Sequence, residues 1–205
     1  MSNQFLRRYT SLDSAMHILQ SKAITLIPPD SWDDKVDRNL MSAFARRSEN
    51  KSVLALCLSH TSETYHHWRI FTEGKSGVCI VFDRLRLIEA AKQHNVSARP
   101  VTYKKIADDR ADPVTTARLP FTKRYAFRDE KEFRLVFASR TPDLKLKIVP
   151  IQTGMIDEVV LNPWMHDSLA ETVQRTLRLI PSYSHLAVRK SQLFDSPYWK
   201  RVADA

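Results

Sequence analysis

Glycine is scarce in this chain: its 205 residues include only Gly74, Gly77 and Gly154. Rossmann fingerprints and P-loops need clustered glycines, so both are excluded, and any nucleotide phosphates must be held by side chains. Cysteine is rarer still. Cys57 and Cys79 each lie inside an apolar run, where a free cysteine acts as a small core residue, and reduced thiols are expected. No apolar run approaches the ~18 residues that span a membrane. The opening residues Met1 to Phe5 carry no signal-peptide core. A cytoplasmic protein with no membrane partner is the expectation. Repeats, low-complexity tracts and linkers are lacking too, as is the paired Cys/His spacing of a metal site, so no metal is expected.

Positive charge is plentiful. Lys and Arg number 32 against 23 Asp and Glu, a formal net charge of +9. That excess favours a polyanionic partner such as RNA or DNA, or a phosphorylated cofactor, against the alternative of a merely basic protein. Hydrophobic residues make up 43% of the chain, enough for a sizeable core. The length suits one α+β domain, 1–205, with a mixed or split β-sheet flanked by helices.

Along the chain, Phe5 to Thr10 reads as a strand carrying Arg7, Arg8 and Tyr9. Ser11 then caps a helix with Leu12, Ala15, Met16 and Leu19 inward. A short strand, Ala23 to Ile27, stops at Pro28-Pro29, and a polar loop holds Trp32. Val36, Leu40 and Phe44 mark a helix ending near Arg47. Val53 to Ser59 is a strand apolar on both faces. Ser62 to Thr72 reads as a helix bearing His66, His67 and Trp68, and Val78 to Asp83 as a strand. A helix with Leu85, Leu87, Ile88 and Ala91 inward follows, then a strand, Ala98 to Tyr103. The polar stretch 104–122, broken by Pro113 and Pro120, is expected to form a mobile helix or lid. Further strands are expected at Leu144 to Val149, Ile156 to Leu161 and His185 to Arg189, with a helix along Leu169, Val173, Leu177 and Ile180.

The most informative stretch is Arg128 to Phe137. Phe133, Leu135 and Phe137 are apolar at period two, so Glu130, Glu132 and Arg134 are expected on the opposite face of one strand. Two carboxylates and a guanidinium are costly to bury unpaired, so they must be solvated, paired or part of a site. An exposed edge strand with surface ion pairs is the plain alternative.

With these elements in order, the chain resembles the uncharacterised bacterial family called domain of unknown function 2971. The likeness rests on Tyr9-Thr10-Ser11-Leu12 through Ala15, on Ser31-Trp32-Asp33-Asp34, on Leu58-Ser59 through Trp68 to the strand Gly77–Asp83, and on Glu130-Lys131-Glu132-Phe133-Arg134. Lys35 stands where the family's loop has proline. The resemblance implies a role in phage defence or toxicity.

A second resemblance is to ADP-ribosyltransferases, whose arginine-type members show an Arg on a first strand, a Ser on a central strand and a Glu-x-Glu later. Arg8, Ser59 and Glu130/Glu132 fall in that order. The resemblance implies NAD as cofactor. Breaking its nicotinamide–ribose bond builds an oxocarbenium-like cation. Glu132 would stabilise that charge, and Glu130 would orient the acceptor nucleophile or act as its base. Arg8 would clamp the phosphates, and Ser59 would brace Glu132 or the ribose. Tyr9, Trp68 and Arg134 complete the cofactor-binding set, with Trp32 as another stacking surface. Replacing Glu132 by Gln would spare the fold if its carboxylate faced a wet cleft.

Other classes stay open. His66-His67, with His60, admits a metal-independent RNase-type toxin, although neighbours on a helix point about 100° apart. A non-enzymatic module binding nucleic acid or protein would also suit the charge, without any recognised nucleic-acid motif.

Overall fold

In the computed structural model, which describes residues 4–72, 74–105, 107 and 111–204, chain order is β1 (Phe5–Thr10), α1 (Leu12–Ser21), β2 (Ala23–Leu26), α2 (Lys35–Arg47), β3 (Ser52–Ser59), α3 (Tyr65–Phe71), β4 (Val78–Asp83), α4 (Arg84–Gln93), β5 (Ser97–Pro100), β6 (Thr102–Lys104), β7 (Thr122–Arg124), β8 (Glu132–Ser139), β9 (Lys147–Pro150), β10 (Ile156–Leu161), α5 (Asp167–Arg178), β11 (Ala187–Lys190) and α6 (Pro197–Ala203). The class is α+β with mixed strand pairing. Two compact units emerge: residues 1–22, 61–84 and 152–205 form unit 1, and residues 23–60 and 85–151 form unit 2.

Unit 1 is built on the strand order β11-β10-β4-β1. β10 and β11 are parallel, as the intervening α5 allows, and the other pairs are antiparallel. On β1, Arg8 sits opposite Ile80 and Tyr9 opposite Cys79. Ser11 caps α1 by accepting from the Ser14 amide at 3.4 Å. α5 turns Ala170, Val173 and Leu177 inward and leaves Leu169 exposed, so its stripe begins one residue later than expected.

Unit 2 holds the antiparallel order β3-β8-β5, the antiparallel pair β2-β9 and the parallel pair β6-β7. β8 therefore has a neighbour on each side, and the exposed-edge alternative is corrected. The expected strand 98–103 splits into β5 and β6, which join different sheets. In α4, Leu87, Ala90 and Ala91 point inward while Leu85 is exposed, contrary to expectation. On α2 the buried side chains are Asp37 and Met41, not the expected Val36, Leu40 and Phe44 stripe. The helix is turned by about one residue, because Asp37 pairs with a buried arginine. The lid expectation fails at residues 116–122, where Leu119, Pro120, Phe121 and Thr122 are buried. Residues 106 and 108–110 of that stretch, and the first three residues of the chain, lie outside the described part.

Candidate active site

Alternation along β8 puts Glu132 and Arg134 on one face of the strand, with Ser59 opposite Glu132 and Cys57 opposite Arg134 on β3. That face is buried: Arg134 is 0% and Glu132 4% exposed. A guanidinium without water must spend every donor inside the protein. Arg134 does so. Its Nε donates to Glu132 Oε1 at 2.5 Å and its Nη2 to Glu132 Oε2 at 2.9 Å. Nη1 donates to Asp37 Oδ1 at 2.9 Å and to the Pro120 carbonyl at 3.0 Å, and Nη2 also donates to Asp37 Oδ2. Trp32 covers the cation, its ring centroid 4.8 Å from the guanidinium carbon.

Glu130 is not on the strand, and here the sequence expectation is corrected. It ends a 3-10 helix, Tyr125–Glu130, and Lys131 then takes a left-handed conformation at φ +44° before β8 begins. The two glutamates meet instead through Lys123 on β7. Its Nζ lies 2.6 Å from Glu130 Oε2, 3.3 Å from Glu132 Oε2 and 3.7 Å from Asp37 Oδ2. The Phe127 ring lies 4.9 Å from the same Nζ. The Ser59 hydroxyl donates to the Glu130 carbonyl at 3.0 Å, so it fixes the backbone that sets both glutamates. Tyr103 Oη accepts from the Glu132 amide at 2.7 Å.

Three carboxylates thus face two cations in a nearly dry place, and their proton affinities separate. Burial alone would raise the Glu132 carboxyl, but Arg134, its hydrogen bonds and Lys123 outweigh that and hold it down at about 2. For Glu130, burial wins over Lys123, and the charge of Glu132 adds to the rise. Asp37 is raised as well, by burial that exceeds the pull of Arg134. Burial would depress Lys123, yet Glu132 and Glu130 keep it above its ordinary value. The cluster therefore contains one carboxylate held low beside two whose carboxyls are raised by burial.

Of the remaining sequence candidates, His60 lies in unit 2, and Arg8, Tyr9, Trp68, His66 and His67 lie in unit 1. Arg8 is half-buried on β1. Tyr9 and Trp68 belong to a core cluster with Cys79, Val81 and Val160, and their rings meet edge to face at 5.1 Å. The Trp68 indole donates to Glu63 at 3.1 Å. His67 is fully buried, stacked on Tyr9 at 5.2 Å, with Nδ1 2.6 Å from Thr64 Oγ1, whereas His66 is exposed. The two imidazoles therefore do not present themselves together. Among the described residues no group of three or more His, Cys, Asp and Glu could hold a metal, and no helix is long and apolar enough to cross a membrane.

Sequence reasoning missed Asp37 and Lys123. Asp37 falls between apolar residues that dominate the helical pattern of α2, and Lys123 is one lysine in a polar stretch. Neither carries a local signal.

A family model described as "Protein of unknown function (DUF2971)" matches residues 67–135. The match includes Trp68, the strand 78–83 and the stretch Glu130 to Arg134; the Tyr9 and Trp32 motifs lie outside it. No curated protein matches. A solved structure, "Thermus sp. 2.9 DarT in complex with ADP-ribosylated ssDNA", is similar at 13% identity and a TM-score of 0.49, covering 94% of this chain and 98% of that one.

Proposed function

We propose that this chain is an NAD-dependent, ADP-ribosyltransferase-like enzyme that modifies a macromolecule, with nucleic acid as the class that its charge of +9 fits. The observation that carries the reading is the pair of glutamates at Lys123, one held ionised at about 2 and the other pushed toward keeping a proton. Two carboxyls driven apart in proton affinity form the arrangement that divides a fixed charge from an acid–base role.

NAD, when bound, supplies the ADP-ribosyl group with nicotinamide as leaving group. Glu132 provides a preorganised negative charge. Glu130 takes a proton from the acceptor and holds it at its carboxylate. Arg134, with every donor committed to the protein, serves as a positioning residue for Glu132. Ser59 fixes the backbone between the two glutamates. Trp32 and Phe127, half-buried beside the cations, offer flat surfaces to a ring. Arg8 is assigned the phosphates, because a guanidinium binds them bidentately and no glycine cradle exists. Tyr9 and Trp68 pack β1 from within and hold the strand that carries Arg8. An enzyme of this kind works in the cytoplasm as a toxin or in phage defence.

A ligand that binds only the folded state raises its stability, by about 2.7 kcal/mol at a hundredfold excess over Kd. NAD should therefore raise the melting temperature, and Arg8→Ala should abolish the shift while the exposed-surface control Lys51→Ala keeps it. No shift and no titration heat at millimolar NAD would remove the cofactor from the account.

A further inference from the structure

Unit 1 carries an aromatic patch that begins at Trp164, which packs against its core, and runs outward to exposed rings. Tyr65, at the start of α3, and Phe194, beyond β11, are 52% and 53% exposed. Both meet Trp164: Tyr65 edge to face at 5.6 Å and Phe194 tilted at 4.8 Å. Tyr65 and Phe194 also meet each other at 6.0 Å. Half-exposed aromatic rings gathered in one place mark a binding surface more often than scattered ones do.

The patch is threaded with positive charge. The Arg69 guanidinium lies 4.2 Å from the Trp164 ring centroid and 5.4 Å from that of Tyr65. Its Nε donates to Tyr65 Oη at 3.0 Å, which fixes the group. Arg69 and Trp164 also line a cleft of about 260 Å³ beside the patch, with Lys75, Trp68, Thr72 and Gly74. Among the described residues no carboxylate is paired with Arg69 or Lys75. Glu63, the carboxylate closest in sequence to α3 among them, is committed to Trp68, Ser191 and Arg189.

The cleft wall is built to stay in place. Buried Asn162 donates to Thr72 Oγ1 at 3.2 Å and to the Gly74 carbonyl at 3.4 Å, and its own amide donates to the Gly77 carbonyl at 3.1 Å. Its Oδ1 accepts from the Trp164 amide at 2.9 Å, so one side chain ties the Lys75 loop to the Trp164 turn. At Gly77 a Cβ would come within 2.3 Å of Thr72 Cβ, so the loop closes only without a side chain there. Gly74 holds φ +58°.

We infer that this patch binds an unpaired nucleic-acid strand, with bases stacked on Tyr65, Trp164 and Phe194 and phosphates at Arg69 and Lys75. Aromatic rings interleaved with cations fit that ligand, because every base has a π-face and every linkage an anion. A duplex hides its base faces and cannot use the rings. The inference deepens the reading above by naming the form of the nucleic acid. It rests on that reading for the chemistry after binding and not for binding itself, so the test contains no NAD.

The experiment is fluorescence anisotropy with end-labelled twelve-residue oligothymidylate and oligouridylate, a duplex of equal length, and an abasic chain that keeps the phosphates and loses the bases. The strand should bind at least tenfold more tightly than the abasic chain or the duplex. Phe194→Ala, at a half-exposed position, should weaken strand binding by roughly tenfold with abasic binding unchanged, whereas Tyr65→Ala, which also releases Arg69, should weaken strand binding by at least as much and abasic binding by less. Two phosphate contacts predict a slope of about −1.4 for log affinity against log salt, and Arg69→Ala should reduce it by about 0.7. The deoxy and ribo strands distinguish DNA from RNA as the source. Equal affinity for the strand and the abasic chain, a preference for the duplex, or no binding by the folded protein would each overturn the inference. The last outcome would leave the NAD chemistry standing, to be judged by nicotinamide release alone.

Discussion

Replacing Glu132 by Gln and Glu130 by Gln should have opposite consequences, although the two residues share one lysine. A carboxyl held at about 2 against 4.5 in the unfolded chain contributes ~3 kcal/mol of stability at neutral pH. Glu132→Gln removes that contribution and leaves Arg134 only Asp37 as a charged partner. For a chain of this size, with roughly 2–4 °C per kcal/mol, the melting temperature should fall by about 6–12 °C. The expectation that this change spares the fold is thereby corrected, because the carboxylate is buried in a two-pronged pair and not in a wet cleft. Glu130 is raised, so its ionised form is a liability that grows as pH climbs from 4.5 through its folded value. Glu130→Gln removes that liability at the loss of one hydrogen bond, and the net change at pH 8 should stay within about 1 kcal/mol. The pH profile separates the two further. A depressed carboxyl contributes fully above 4.5 and loses its contribution as pH falls through about 2. The gap between wild type and Glu132→Gln should therefore hold from pH 6 to 8 and close below pH 4.5. Thermal denaturation followed by circular dichroism across that range reads both. Equal losses for the two variants, or a Glu132→Gln shift under 2 °C, would refute the buried-pair account.

Lys123→Met leaves three buried carboxylates with Arg134 alone and should cost ~3–5 kcal/mol, seen as a lower denaturation midpoint in urea, with the loss easing as pH falls and Asp37 and Glu130 protonate. Gly77→Ala forces a carbon against Thr72 and should destabilise by about 1–3 kcal/mol in the same assay. Ser59→Ala removes the donor to the Glu130 carbonyl and should cost about 1 kcal/mol, with a larger fractional effect on turnover than on stability because Glu130 loses its fixed backbone.

Much of the scaffold could be read from the chain. The alternation Phe133, Leu135, Phe137 announced β8, and with it the shared face of Glu132 and Arg134. Ser11, the Pro28-Pro29 stop and the apolar runs 53–59 and 78–83 marked real boundaries. The reading failed where tertiary pairing overrode local pattern. Alternation was extended back to Glu130, but a left-handed Lys131 breaks the strand, and unlike glycine or asparagine a lysine gives no warning of that geometry. Asp37 turned α2 away from its apolar stripe, because a buried guanidinium outweighs a few methyl groups. Lys123 was invisible, since its role comes from three carboxylates, none of them nearer than seven residues along the chain.

Quantifying nicotinamide released from NAD, with and without single-stranded nucleic acid, tests the central claim most directly. The wild-type protein should release nicotinamide and label the nucleic acid. Glu132→Gln, assayed below its melting temperature, should be slower by roughly 100- to 1,000-fold, as loss of one preorganised electrostatic contact implies. Glu130→Gln, which keeps the fold, should lose acceptor labelling, and His66→Ala should change neither. Cleavage of RNA without NAD, abolished by His66→Ala and untouched by Glu132→Gln, would contradict the account, as would a folded protein that consumes no NAD with any acceptor.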